Sequence, residues 1–225
     1  ANEGAIGPIF KQRFNDADGL RYGEVSHYVD VPEGEYTPRL VAPGAQGCDT
    51  ALPGTQGVLV PIEARADELS TVVVAGQLEA PAGEKKFTVL RFLDDPEPSS
   101  GKTRVRFIHA SPDTAELDIG TLDAHGTFTP LFTGVAYGSM GHSKTGNYVT
   151  GAPLDNTTIV VRLAGQPANL ITIPAVTVEA DRVVTIFAIG NRAGQPQPLR
   201  LLVCRDQSPS AQGAPGMASC LLLTP

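Results

Sequence analysis

The sequence contains no tryptophan, and aromatic residues make up only 6% of it. That leaves little from which to build an aromatic platform for a glycan or peptide ligand. Basic residues are scarce as well: 17 Lys and Arg stand against 24 Asp and Glu, a formal charge of -7. With no Lys/Arg block, the phosphate-neutralising footprint of a nucleic-acid binder is missing. Long apolar runs are absent too. VVTIFAI (183–189) is strand-sized and far too short to span a bilayer. No segment sustains a capped 3.6-residue apolar period, which argues against helices.

Glycine (24) and proline (19) are plentiful. Short apolar runs between turn residues predict many strands with tight connections. A hydrophobic share of 41% over 225 residues is enough for a sizeable core and excludes a disordered chain.

An internal repeat organises the chain. YGEVSH (22–27) matches YGSMGH (137–142), and IEARADELSTVVVAG (62–76) matches AVTVEADRVVTIFAIG (175–190). Asp67 and Asp181, Thr71 and Thr185, and Gly76 and Gly190 fall at one constant spacing. FTVLRFLDD (87–95) then answers PLRLLVCRD (198–206). The spacing predicts a first unit over 1–95, a polar linker over 96–103 and a second unit over 104–225. Each unit reads as antiparallel β, and Pro32-Glu33-Gly34 reads as a hairpin turn within YVDVPEGEYTPRLV (28–41). Two tandem immunoglobulin- or transthyretin-like β-sandwiches are the expected fold.

The units differ in length ahead of their shared tyrosine. RVRFIHAS and AELDIGTL, two expected strands, precede Tyr137, whereas only residues 1–21 precede Tyr22. Unit 1 is thus expected to lack its opening strands, which then lie upstream or come from elsewhere. Its open edge predicts protein partners or self-association by β-edge pairing. Ala1 in place of Met predicts a processed chain with an export signal removed.

There are three cysteines. Cys204 and Cys220 bracket a Gly-, Ser- and Pro-rich stretch, and a disulfide between them would pin the C-terminal tail by about 3 kcal/mol in the chain-entropy model. Cys48 is left over. An odd cysteine in an exported protein means a free thiol or a partner elsewhere.

Several short stretches invite chemical readings. His109, Ser111 and Asp113 carry the residue types of a hydrolase triad, but strand spacing puts successive members too far apart for the required hydrogen bonds. Ser111-Pro112-Asp113 reads instead as turn chemistry. YGSMG (137–141) falls short of a nucleophile elbow: Tyr137 replaces the first glycine, and Glu24 stands where Ser139 would recur. Tyr22-Gly23 and Tyr137-Gly138 read as a shared turn, and His27 and His142 as a shared fold position. NDADGL (15–20) hints at a calcium loop through Asp16 and Asp18, yet the EF-hand register fails and an ordinary acidic loop is expected. No cofactor and no firm metal site is expected.

RVRFIHASPD with AELDIG, together with YGEVSHYVDVPEGEY, resembles the bacterial domain-of-unknown-function family numbered 4397. PLRLLVCRD is similar to its closing strand. The resemblance implies exported or surface-attached β-proteins, often in tandem, with no established enzymatic activity. It also implies that a cysteine near Cys48 pairs with one in the early strand of the same unit. From this we expect a non-enzymatic surface, envelope or assembly module. A ligand-binding sandwich with a weak cation site is the alternative, and a hydrolase is the remote one.

Overall fold

A computed structural model of the chain describes residues 7–9, 18–55, 60–78, 87–143, 146–194, 197–206 and 219–224. Among these residues it is all-β, with thirteen strands. It divides into two compact units, with the break between Asp95 and Pro96.

Unit 2 is a two-layer sandwich. One sheet has the order β10 (Asn169–Val178), β9 (Leu154–Leu163), β6 (Leu117–Leu122), β7 (Phe128–Val135). The other runs β13 (Cys220–Leu223), β12 (Arg200–Asp206), β11 (Arg182–Ile189), β5 (Thr103–His109), β8 (Val149–Gly151). Inward-facing residues of both sheets form one core, including Phe107, Ile119, Phe132, Val161, Ile171 and Ile186. Phe107 and Phe132 stack at 6.4 Å between ring centroids. Each such buried side chain is worth roughly 1.5–3 kcal/mol relative to exposure.

Local chemistry sets the connections. Between β6 and β7, Asp123 accepts hydrogen bonds from the backbone N–H groups of His125 (2.9 Å) and Thr127 (2.7 Å). These bonds hold its carboxyl below the usual range, with Thr127 the largest cause. Gly120 is required by close approach: a Cβ there would lie 2.2 Å from the Thr129 carbonyl oxygen. β11 begins after Asp181, which takes the left-handed conformation (φ 58°). Its run of β-branched and aromatic residues then suits a strand buried on both faces.

One pairing differs from the antiparallel expectation. β5 runs parallel to β11, with Arg106 opposite Thr185 and His109 opposite Ala188. The two strands are far apart in sequence, so no hairpin constrains their relative direction. β5 begins at Thr103, the last residue of the expected linker. Just before it, the Gly101 N–H donates to the Asp181 carboxylate and the Lys102 carbonyl accepts from the Asp181 N–H.

Unit 1 is sparser. β1 (Gly34–Tyr36) pairs with β2 (Ile62–Ala64), and β3 (Ser70–Ala75) pairs antiparallel with β4 (Thr88–Leu93). The hairpin expected about Pro32–Gly34 is not formed. Gly34 itself opens β1, whose partner lies far along the chain. The Glu33 carboxylate instead accepts from the Ala66 N–H, and the Tyr36 hydroxyl donates to the Pro32 carbonyl. Side-chain and backbone contacts across and beside β1 thus displace the local turn. β3 and β4 carry the same positions as β11 and β12, and the preceding Asp67 adopts the same left-handed φ, 57°, as Asp181.

Candidate functional site

The HASPD stretch does not assemble a triad. His109 and Ser111 are fully buried, with both imidazole nitrogens turned to backbone groups. Nε2 meets the Ala115 carbonyl (3.1 Å), and Nδ1 accepts the Ser111 N–H (3.3 Å), a pairing that sets the proton on Nε2. The Ser111 hydroxyl meets the Thr114 hydroxyl at 2.6 Å. Asp113 points elsewhere and accepts from the N–H groups of Arg192 (2.6 Å) and Ala193 (2.9 Å). Pro112 is buried where β5 has ended. A nucleophile needs a base within hydrogen-bond reach, and the imidazole nitrogens face backbone instead. These residues tie β5 to the turn after β11.

The Tyr-Gly pairs form one turn in both units. Gly23 and Gly138 have φ of 79° and 78°, values that favour glycine. Glu24 N–H donates to the Arg21 carbonyl, and Ser139 N–H to the Ala136 carbonyl. In unit 2 the turn docks on β5: Gly138 N–H donates to the His109 carbonyl and His109 N–H to the Ser139 carbonyl. Tyr137 packs edge-on against His109 at 6.1 Å, and burial raises its phenol pKa. Tyr22 is exposed. Gly141, the last glycine of YGSMG, lies on the Phe132 ring, where a Cβ would come within 2.5 Å. His27 is half-buried and His142 exposed.

Cys204 and Cys220 form a disulfide between β12 and β13. The stretch between them, 207–218, lies outside the described residues. Cys48 is a free thiol, half-buried beside Gly7. Asp18 is exposed and paired with Arg21 at 3.2 Å. Asp16 lies outside the described residues. Among the described residues no group of three or more His, Cys, Asp or Glu could hold a metal ion. No described helix is long and apolar enough to cross a membrane.

A buried polar cluster, which the sequence reading did not single out, sits where β5 meets β11. Arg106 is 1% exposed and donates through Nε (3.0 Å) and Nη2 (2.8 Å) to the Thr185 hydroxyl oxygen. Thr185 in turn donates to Asp206 at 2.6 Å, and Arg106 and Asp206 are ion-paired at 3.6 Å. The guanidinium also lies over the Tyr148 ring at 5.3 Å. A charge buried this deeply is tolerated because it is paired and hydrogen-bonded.

Half of that cluster recurs in unit 1. Thr71 donates to the Asp94 carboxylate, with contacts of 3.0 and 2.8 Å to its two oxygens, and Tyr28 donates to Asp94 at 2.8 Å. Among the described residues β3 pairs with β4 alone, with no strand in the place of β5. Val72 and Val74 are each 48% exposed. Their counterparts by the repeat, Ile186 and Ala188, are core residues at 6% and 0%. The repeat already matched Thr71 with Thr185, whereas the equivalence of Asp94 and Asp206 follows from the strand registers, in which Phe92 lies opposite Thr71 and Cys204 opposite Thr185.

No curated protein and no solved structure matches the chain significantly. One family model does, described as Domain of unknown function (DUF4397), over residues 10–120. That span takes in most of unit 1 together with β5 and the start of β6 in unit 2. Over residues 10–120 the chain belongs to the DUF4397 family.

Proposed function

We propose that this chain is an exported, non-enzymatic assembly module, whose unit 1 associates through the β3–β4 sheet with β-structure of another molecule. The observation that carries the reading is the exposure of Val72 and Val74 at positions whose counterparts in unit 2 are core. A strand edge beside half-exposed valines is a template for pairing, and association would remove both from water. The Cys204–Cys220 disulfide supports an oxidising compartment, and hence a surface, periplasmic or extracellular setting. We read the two units as tandem copies, the second self-sufficient and the first relying on association.

Sedimentation velocity across a wide concentration range tests this. Reversible mass increase is expected, and a Val72→Lys/Val74→Lys variant should lose it while keeping the unit 2 disulfide and its unfolding transition. A wild-type chain that stays monomeric throughout would overturn self-association, as would a lysine variant that associates unchanged.

A further inference from the structure

We infer that the Cys204–Cys220 disulfide is a thiol-reducible clasp, which holds β13 on the edge of β12 and frees this C-terminal strand when it opens. The inference goes beyond the assembly reading above and does not depend on it. β13 lies antiparallel along β12, from Leu201 opposite Leu223 to Cys204 opposite Cys220. The Arg205 N–H donates to the Ser219 carbonyl at 3.2 Å. The adjoining Cys204–Cys220 row is therefore of the non-hydrogen-bonded kind, in which facing side chains come closest. The two sulfurs bond straight across the ladder.

Besides the bridge, little holds β13. None of its four residues is buried, and Leu221 is 63% exposed. Of this strand, Leu223 packs against the unit 2 core. β12 is different: Leu201, Leu202 and Cys204 are all buried, and β11 pairs with it from Arg200 to Asp206. Opening the bridge thus removes the main restraint on β13 and leaves β12 anchored. The cysteines are 16 residues apart, and in the chain-entropy model losing such a closure weakens attachment roughly a hundredfold.

The exposure of the two sulfur-bearing residues sets the route of reduction. Cys204 is buried, whereas Cys220 is half-buried. A thiolate of a dithiol attacks Cys220 Sγ, the S–S bond breaks, and Cys204 Sγ leaves as a thiolate and takes a proton. The second thiol then displaces Cys220, so the dithiol ends as a cyclic disulfide and the protein has gained two electrons and two protons. What opens is the outer edge of β12 together with an uncharged, leucine-rich strand.

The test uses the full chain with dithiothreitol, reading amide exchange residue by residue before reduction, after it and after reoxidation. Backbone alternation directs the Val203 and Arg205 N–H groups toward β13, and those of Leu202 and Cys204 toward β11. Exchange at Val203, Arg205 and Leu221 should quicken at least about tenfold, within the range set by loss of the closure. Protection across β5, β9 and β11 should hold, and reoxidation should restore the starting pattern. A Cys204→Ser/Cys220→Ser variant should show the open pattern without reductant; the reduced wild-type chain decides the matter if that variant fails to fold. A bond that dithiothreitol cannot reach until the chain unfolds would overturn the inference. So would unchanged exchange at the three positions, in the reduced chain or in a folded serine variant. Loss of protection across β5 and β11 together with β13 would also overturn it, by making the bridge a staple of the whole unit.

Discussion

β3 and β11 begin from the same turn, pair with the same kind of partner on one side and make the same threonine–aspartate contact. Yet six of the eight residues of β11 are buried, while only Ala75 of β3 is. The difference lies in what surrounds them. β11 has β5 along its other edge and a four-stranded sheet over its inner face. β3 is paired only with β4 among the described residues. Local sequence signals can thus build the same hairpin-like pair twice without building the same core. Burial needs strands from elsewhere in the chain, and a repeat does not by itself bring them.

The comparison breaks most sharply at Arg106. Arg106→Ala removes a fully buried side chain, takes the ion-pair partner from the largely buried Asp206 and empties space beside Thr185, so a loss of about 2–4 kcal/mol is expected. Chemical denaturation followed by a unit 2 probe measures it, and a loss under about 1 kcal/mol would mean that the cluster is incidental. Core truncation gives the next contrast. Ile186→Ala should cost about 2–5 kcal/mol, whereas Val72→Ala at the equivalent position should cost well under about 1 kcal/mol in a monomeric sample. Similar costs at the two sites would show that Val72 is covered in solution.

A gentler comparison uses the shared hydroxyl. Thr185→Val removes a buried hydroxyl that serves both Arg106 and Asp206 and should cost about 1–3 kcal/mol. Thr71→Val removes its less buried counterpart and should cost about 0.5–1.5 kcal/mol, the ordinary net worth of a hydrogen bond. Equal losses would deny that burial separates the units.

The smallest effect concerns pH. Asp123 has its pKa lowered in the folded state, so it stabilises unit 2 above the usual carboxylate range, and that contribution fades as pH falls through the folded value. In an Asp123→Asn variant, the acid-side slope of the unit 2 unfolding midpoint should flatten slightly. An unchanged slope would assign the slope to other groups.

Much of this was legible in the sequence for a physical reason: turns and strands are specified locally. Ala66-Asp67 and Ala180-Asp181 were matched by the repeat, and the structure gives both aspartates the same left-handed conformation ahead of their strands. The Tyr-Gly turns at 22–23 and 137–138 and the strands of RVRFIHAS and AELDIGTL were equally readable. The Pro32–Gly34 hairpin misled because Gly34 fits a tight turn equally well at the start of a strand, and contacts with 62–66 decided between the two. The importance of Arg106 was hidden because an arginine in a strand is ordinarily solvated. Only the position of Thr185 across the parallel ladder makes it a buried donor.

The sequence by itself marked strands such as β5, β6 and β11 and the turns beside them, because backbone conformation and the alternation of apolar residues are local properties of the chain. It also carried the candidate disulfide pair and the repeat. The tertiary structure decided which strands lie side by side, the parallel direction of β5 against β11, and the burial of Arg106. Those outcomes depend on contacts between residues far apart in the chain. The same distant contacts make Ile186 a core residue and leave Val72 half-exposed, although the two occupy one position of the repeat.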